Sequence, residues 1–287
     1  MLDYKRVFIG SVCNNDCVYC PHEVRQSRPL QEIEAELGAG AGRDGIEIYG
    51  GEPLERFDFS RLVTMARALN RRVKVVTNGR ALAKPEVVRS AVEAGATGFE
   101  VKLWGPREDV HDGLTGRPGS FYETLQGISN ARGLFEKAYL AIRAKVCCEN
   151  IDRLADISRI AASFRVDRLI IEPVDPELSV KEAEQSIKLA IETAITNRVW
   201  AMTEGIPLCA MRGYEPHVGE AVFPRPSERV KVEACSRCPC DGVCDGVSPL
   251  LADKFAEEAE PAENVDIVED LRSIRDERKA ESPARSV

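Results

Sequence analysis

Cys13-Asn14-Asn15-Asp16-Cys17-Val18-Tyr19-Cys20 places three cysteines within eight residues, directly after the apolar run Val7-Phe8-Ile9. A loop of this kind can present three thiolates to one metal centre, yet it leaves that centre one protein ligand short. In a cubic iron-sulfur cluster, with four irons and usually four cysteine ligands, one iron then stays open. An open position is where chemistry happens, by the logic that separates catalytic from closed structural metal sites. His22, two residues beyond Cys20, keeps a second reading in play: a closed zinc site of three cysteines and one histidine.

Composition narrows the class. The 287 residues suffice for one large α/β domain plus a small appendage. A hydrophobic fraction of 44% with 30% charged residues is that of a soluble globular protein. No apolar run reaches the length of about 18 residues that a membrane span needs, and Met1 to Arg6 lacks the apolar segment of a signal peptide. The expected location is therefore the cytoplasm, where ten cysteines argue for metal or redox work rather than disulfides. The net charge of -8 speaks against broad phosphate-backbone binding, so no strong nucleic-acid signal is present.

Short β-rich runs alternate with longer helical patterns for most of the length, as in a parallel sheet built from βα units. The runs are Arg6 to Gly10, Gly45 to Tyr49, Val73 to Thr77, Gly98 to Leu103, Tyr139 to Val146 and Arg168 to Glu172. Amphipathic stretches lie between them at Phe59 to Leu69, Pro85 to Ala94, Phe121 to Phe135 and Arg153 to Phe164. Six strands predict a partial (β/α)6 TIM-like barrel, with an open sheet as the structural rival. In barrels, functional groups gather at the C-terminal strand ends. The cysteine loop follows the first strand, Gly50-Gly51-Glu52-Pro53 the second and Thr77-Asn78-Gly79 the third; Lys102, Arg143 with Lys145, and Glu172 mark the next three.

CxxxCxxC with an aromatic residue before its last cysteine, joined one βα unit later by Gly50-Gly51-Glu52-Pro53, resembles the paired signature of the radical SAM enzymes. The resemblance implies a 4Fe-4S cluster on Cys13, Cys17 and Cys20 whose free iron is chelated by S-adenosylmethionine, which is cleaved reductively to a 5'-deoxyadenosyl radical. It also implies a cofactor-binding set of Tyr19, Gly50, Gly51, Glu52, Pro53, Asn78, Lys102 and Arg143. Glu52 would meet the cofactor's ammonium, and Lys102, Arg143 or Lys145 its carboxylate. Ion pairs with Glu100, Glu149 or Glu172 are the alternative for those cations. Cys147-Cys148 reads as core packing, and His111 to Phe121 as a long polar loop in which Ser120 caps the next helix.

Beyond a helical stretch from about Val180 to Asn197, cysteines return at Cys209, Cys235, Cys238, Cys240 and Cys244. Segments rich in Gly and Pro build little core, so a metal would supply the folding free energy. Cys235, Cys238 and Cys244 resemble the centre of the SPASM and twitch extensions of radical SAM enzymes, although Pro224 and Ser248 stand where a full SPASM domain has cysteines. The implied ligands of one auxiliary 4Fe-4S cluster are Cys209, Cys235, Cys238 and Cys244, with Cys240 spare; a zinc knot of four thiolates is the alternative. The expected organisation is a barrel over 1–204, a cysteine-rich extension over 205–251, and an acidic tail over 252–287. Within that tail Val265 to Arg278 would be helical and the residues from Lys279 disordered.

The resemblance favours a peptide or protein side chain as substrate, with a small molecule as runner-up, and an electron donor such as flavodoxin or ferredoxin; a non-catalytic metal-binding or electron-transfer protein with two closed sites is the rival class. Only twelve residues precede Cys13, so no separate peptide-binding domain is expected ahead of it.

Overall fold

The structure, a computed structural model, describes residues 4–38, 44–69, 72–222, 228–261, 270, 271 and 273. Seven strands, β1 (Tyr4–Phe8), β2 (Gly45–Tyr49), β3 (Val73–Thr77), β4 (Gly98–Leu103), β5 (Tyr139–Val146), β6 (Arg168–Pro173) and β7 (Trp200–Thr203), lie in chain order in one sheet that does not close on itself, in keeping with the expected partial barrel. The first four pair in parallel, with Arg6 opposite Glu47 and Glu47 opposite Lys74. Parallel neighbours require crossovers, and helices α1 (Leu30–Gly38), α2 (Phe59–Leu69), α3 (Pro85–Ala94), α4 (Glu108–Thr115), α5 (Ser120–Leu134), α6 (Leu154–Ser163) and α7 (Val180–Thr196) supply them. Two short helices, α8 (Gly219–Val222) and α9 (Ala252–Glu258), follow. The chain forms two compact units, one of residues 1–143 and 160–168, the other of 144–159 and 169–287.

In the first unit, alternate strand residues face opposite ways. Val7, Ile46, Ile48, Val73, Val75, Phe99, Val101 and Leu103 are buried, as are Ile33 and Leu37 of α1, Leu62 and Val63 of α2, Val88 of α3 and Ile128 of α5. In β1 to β5 the intervening positions include a row of opposite charges. Arg6 Nε lies 2.9 Å from Glu47, and Lys74 Nζ lies 2.7 Å from both Glu47 and Glu100. Glu100 also accepts from Arg143 Nε. Burial pushes the Glu100 carboxyl up, but Arg143 and Lys74 outweigh it and hold the group well below the carboxylate range. Burial likewise pulls the Lys74 ammonium down, and Glu100 and Glu47 reverse that.

In the second unit, Leu169, Ile171, Ile187, Ile191, Ala201 and Met202 are buried. Ser179 caps α7 by accepting from Glu182 N, and Glu258 of α9 accepts from Ser179 Oγ and Val180 N at 2.6 and 2.7 Å.

Several expectations change. β7 is a seventh strand beyond the six read from sequence; four residues with Trp200 exposed are too few for an alternation to register. The polar stretch from His111 is the second half of α4 and the start of α5, joined by a turn with left-handed Gly116 and Gly119. Its polar look comes from side chains used inside the turn: Asp112 accepts from Ser120 Oγ and Phe121 N, both at 2.8 Å. Cys147 is buried, whereas Cys148 is exposed, because neighbours at a strand end point to opposite sides. The expected helix at Val265 to Arg278 and the tail from Lys279 fall almost wholly outside the described residues.

Candidate active site

The three cysteines at the end of β1 are half-exposed and free. Their loop is gripped from three sides, all within the first unit. From β2, Gly51 N donates to Gly10 O and Glu52 N to Val12 O, each at 2.8 Å. A Cβ on Gly51 would stand 2.1 Å from Val12 O, and one on Gly50 (φ +153°) 2.3 Å from Gly10 O. The two glycines are therefore required by backbone-to-backbone contact. Gly51→Ala is expected to force the strand end and the cysteine loop apart, read as lowered iron per chain after reconstitution.

From the end of β3, Arg80 Nη1 reaches Asn14 O at 2.7 Å and Asn15 Oδ1 at 2.9 Å. From α4, Thr115 O and Leu114 O accept from Asp16 N and Val18 N, both at 2.9 Å. Arg25 and Arg117 close on the Asp16 carboxylate. Asp16, Arg25, Arg80 and Arg117 are absent from the sequence-derived site. Only the basic residue directly after Thr77-Asn78-Gly79 offered a signal, and it gave no hint of its target.

Glu52 is buried. Its Oε1 accepts from Thr77 Oγ1 at 2.6 Å and Leu54 N at 3.1 Å, and its Oε2 accepts from Asn78 N at 2.6 Å. Burial pushes its carboxyl up, and these donors partly counter that. The side chain thus joins the ends of β2 and β3 and caps the short turn Pro53–Glu55, whose first residue is the buried Pro53. Glu52→Ala is expected to lower stability by about 1–3 kcal/mol, since buried donors lose their acceptor, and thermal denaturation measures this.

Of the cations expected near a carboxylate, Lys102 stands at the site. Its Nζ lies 3.5 Å from Gly50 O, and its charge is felt at both Cys17 and Glu52. Arg143 is instead bound to Glu100 in the charge row, and Lys145, in the second unit, pairs with Glu172. Tyr19 is half-buried within the loop. His22 turns its ring onto Phe8 at 5.2 Å between centroids. His111 is buried with Nδ1 3.0 Å from Ser120 Oγ and Nε2 unpartnered, and burial pulls it down to about 4.

The donor set suits an iron-sulfur cluster. Cys13 Sγ accepts from Asn15 N at 3.4 Å and from Asn78 Nδ2 at 3.8 Å. Burial, then the neighbouring Cys13, pushes the Cys17 thiol up to about 11, a penalty that a bound cation reverses. Among the described residues no three His, Cys, Asp or Glu side chains gather as a single metal ion requires. A cubic cluster asks for one thiolate at each of three separate corners.

In the second unit, Cys209 sits on the turn Leu208–Met211 and Cys235 on Glu233–Arg237. Burial and then Cys244, Cys238 and Cys235 push the Cys209 thiol up to about 12, so the charge of each of these three is felt at Cys209. The Cys244 sulfur accepts from the backbone at Leu208 and Gly246. Cys240, 2% exposed, hydrogen-bonds to Cys238.

Comparison with known proteins finds relatives in both sequence and fold. The chain is 32% identical over 127 residues to AdoMet-dependent heme synthase of Methanosarcina barkeri, covering 42% of this chain and 36% of that protein. It is 28% identical over 243 residues to GTP 3',8-cyclase of Limosilactobacillus fermentum, covering 80% and 68%. The chain thus spans from about a third to about two thirds of these curated relatives. Among solved structures, anSMEcpe with bound AdoMet and Cp18Cys peptide superposes with a TM-score of 0.61 at 14% identity, covering 96% of each chain. Streptococcus suis SuiB bound to S-adenosylmethionine gives 0.60 at 15% identity, covering 79% of this chain and 56% of that one. Residues 7–144, from β1 into β5 and including the cysteine loop, match the family model of the Radical SAM superfamily. Over residues 7–144 the chain carries a domain of the radical SAM superfamily, a family of enzymes, and that domain implies a 4Fe-4S cluster and S-adenosylmethionine.

Proposed function

We propose that this protein cleaves S-adenosylmethionine reductively and uses the resulting 5'-deoxyadenosyl radical to abstract hydrogen from a peptide or protein side chain. The observation that carries the reading is the clasp between the cysteine loop and Gly51-Glu52, with Lys102 beside Gly50. Cys13, Cys17 and Cys20 would hold the cluster, which when bound supplies the electron for cleavage. The half-buried Gly51 offers its peptide carbonyl to the cofactor's methionine part, Lys102 a charge for its carboxylate, and Glu52 fixes both strand ends. Tyr19, Pro53 and Asn78 shape the same mouth, and Arg143 acts from the charge row beneath.

In the second unit Cys209, Cys235, Cys238 and Cys244 would bind an auxiliary 4Fe-4S cluster with no open iron, serving structure or electron transfer. Anaerobically reconstituted chain should contain about eight irons if both clusters form. With dithionite and S-adenosylmethionine it should release 5'-deoxyadenosine. Full iron loading without cleavage would sink the enzyme reading. Lys102→Ala is expected to weaken cofactor binding at least several-fold, the loss of a charge-assisted contact of about 1.5–3 kcal/mol. Equilibrium dialysis with labelled cofactor checks it.

The peptide substrate is supported by fold likeness to anSMEcpe with its bound peptide and to SuiB, which has also been solved with the precursor peptide SuiA. A small-molecule substrate is the second reading, favoured by the sequence similarity to GTP 3',8-cyclase and heme synthase. A low-potential carrier such as flavodoxin or ferredoxin fits either reading as electron donor. Deuterium transfer from labelled candidate peptides into 5'-deoxyadenosine distinguishes the two.

A further inference from the structure

We propose that the Asn78 carboxamide is an outer hydrogen-bond donor to the iron-bound sulfur of Cys13 and raises the reduction potential of the catalytic cluster. The inference rests on the ligand assignment proposed above. Asn78 is 4% exposed and is fixed at three points. Its backbone N–H donates to Glu52 Oε2 at 2.6 Å, its Oδ1 accepts from Arg80 N at 3.0 Å, and its Nδ2 donates to Asn14 Oδ1 at 2.6 Å. The Arg80 bond decides which way round the amide lies, since a backbone N–H demands the oxygen. That leaves the nitrogen turned to the cysteine loop, where Nδ2 lies 3.8 Å from Cys13 Sγ and donates its second proton to it.

Asn15 N, at 3.4 Å, is the loop's own donor to the same sulfur. Asn78 adds a donor from a different strand, anchored through the very carboxylate that joins β2 to β3. Once Cys13 is bound to iron it has no proton to give, so the direction of both bonds is set. Added electron density on a cluster is shared by its thiolates, and donors to those sulfurs stabilise the reduced state. Removing the Asn78 donor therefore makes the cluster harder to reduce without removing a ligand. The role is one of positioning and tuning; Asn78 need not touch the reacting atoms.

Two variants in the full chain separate this from mere bracing. Asn78→Ser keeps an oxygen for the Arg80 turn but is too short to reach Cys13, and Asn78→Leu keeps the volume but has no donor. The readout is a potentiometric titration followed by electron paramagnetic resonance, using the signal that disappears when Cys13, Cys17 and Cys20 are all replaced by alanine. Both variants are expected to retain the parent's iron per chain and to shift the midpoint to a more negative value. An unmoved midpoint at full iron overturns the proposal. Iron loss with the remaining signal at the parental midpoint also overturns it, in favour of a bracing role. A parent chain without that signal refutes the ligand assignment itself and the inference with it.

Discussion

Replacing Cys13, Cys17 and Cys20 by alanine is expected to abolish release of 5'-deoxyadenosine while leaving about four irons per chain. The loss is expected to be complete, because no described side chain stands ready to replace three thiolates held at the end of β1. The surviving iron would belong to Cys209, Cys235, Cys238 and Cys244, all of the second unit. Loss of all iron would instead mean one site, or two that depend on each other. Zinc in place of the surviving iron would restore the zinc-knot reading of the second unit.

The second large effect is on folding. Glu100 is fully buried and is shared by Lys74 and Arg143. Glu100→Leu is expected to cost about 3–5 kcal/mol, since cations are left buried without the carboxylate they share. By contrast, Arg61→Ala breaks the solvent-exposed pair with Glu34 and should cost about 0–1 kcal/mol. Chemical denaturation of both variants under anaerobic conditions measures the difference, and equal losses would refute the importance of the row.

The pH dependence has a definite sign. Glu100 is depressed from 4.5, so its contribution is complete above that value and fades as pH falls below it. Lys74 is raised from 10.5, so its contribution is complete below that value and is lost only as pH rises beyond it. A stability plateau between these limits is expected, with an acid limb that flattens in Glu100→Leu.

Much of this was written along the chain. The bounds of β2, β3, β4, β5, α2 and α3 follow from local apolar periodicity, which needs no knowledge of neighbours. The cysteine spacing and Gly50-Gly51-Glu52 are legible because ligand number and close backbone approach depend on residue type and short-range spacing. What the sequence could not decide is which partner each polar side chain takes. Arg143 and Lys102 look alike as cations on middle strands, yet Arg143 meets Glu100, whereas Lys102, two residues beyond Glu100 on the same strand, reaches Gly50. Glu52 reads as a ligand for an ammonium, and only the approach of β3 shows it accepting from Thr77 and Asn78. The stretch at His111 reads as a loop because its polar residues satisfy one another inside a turn, whose carbonyls then hold Asp16 and Val18. Local pattern fixes an element, because its hydrogen bonds close within a few residues or along a strand. Long-range pairing of buried charge depends on register across the sheet, and that exists only once the strands have met.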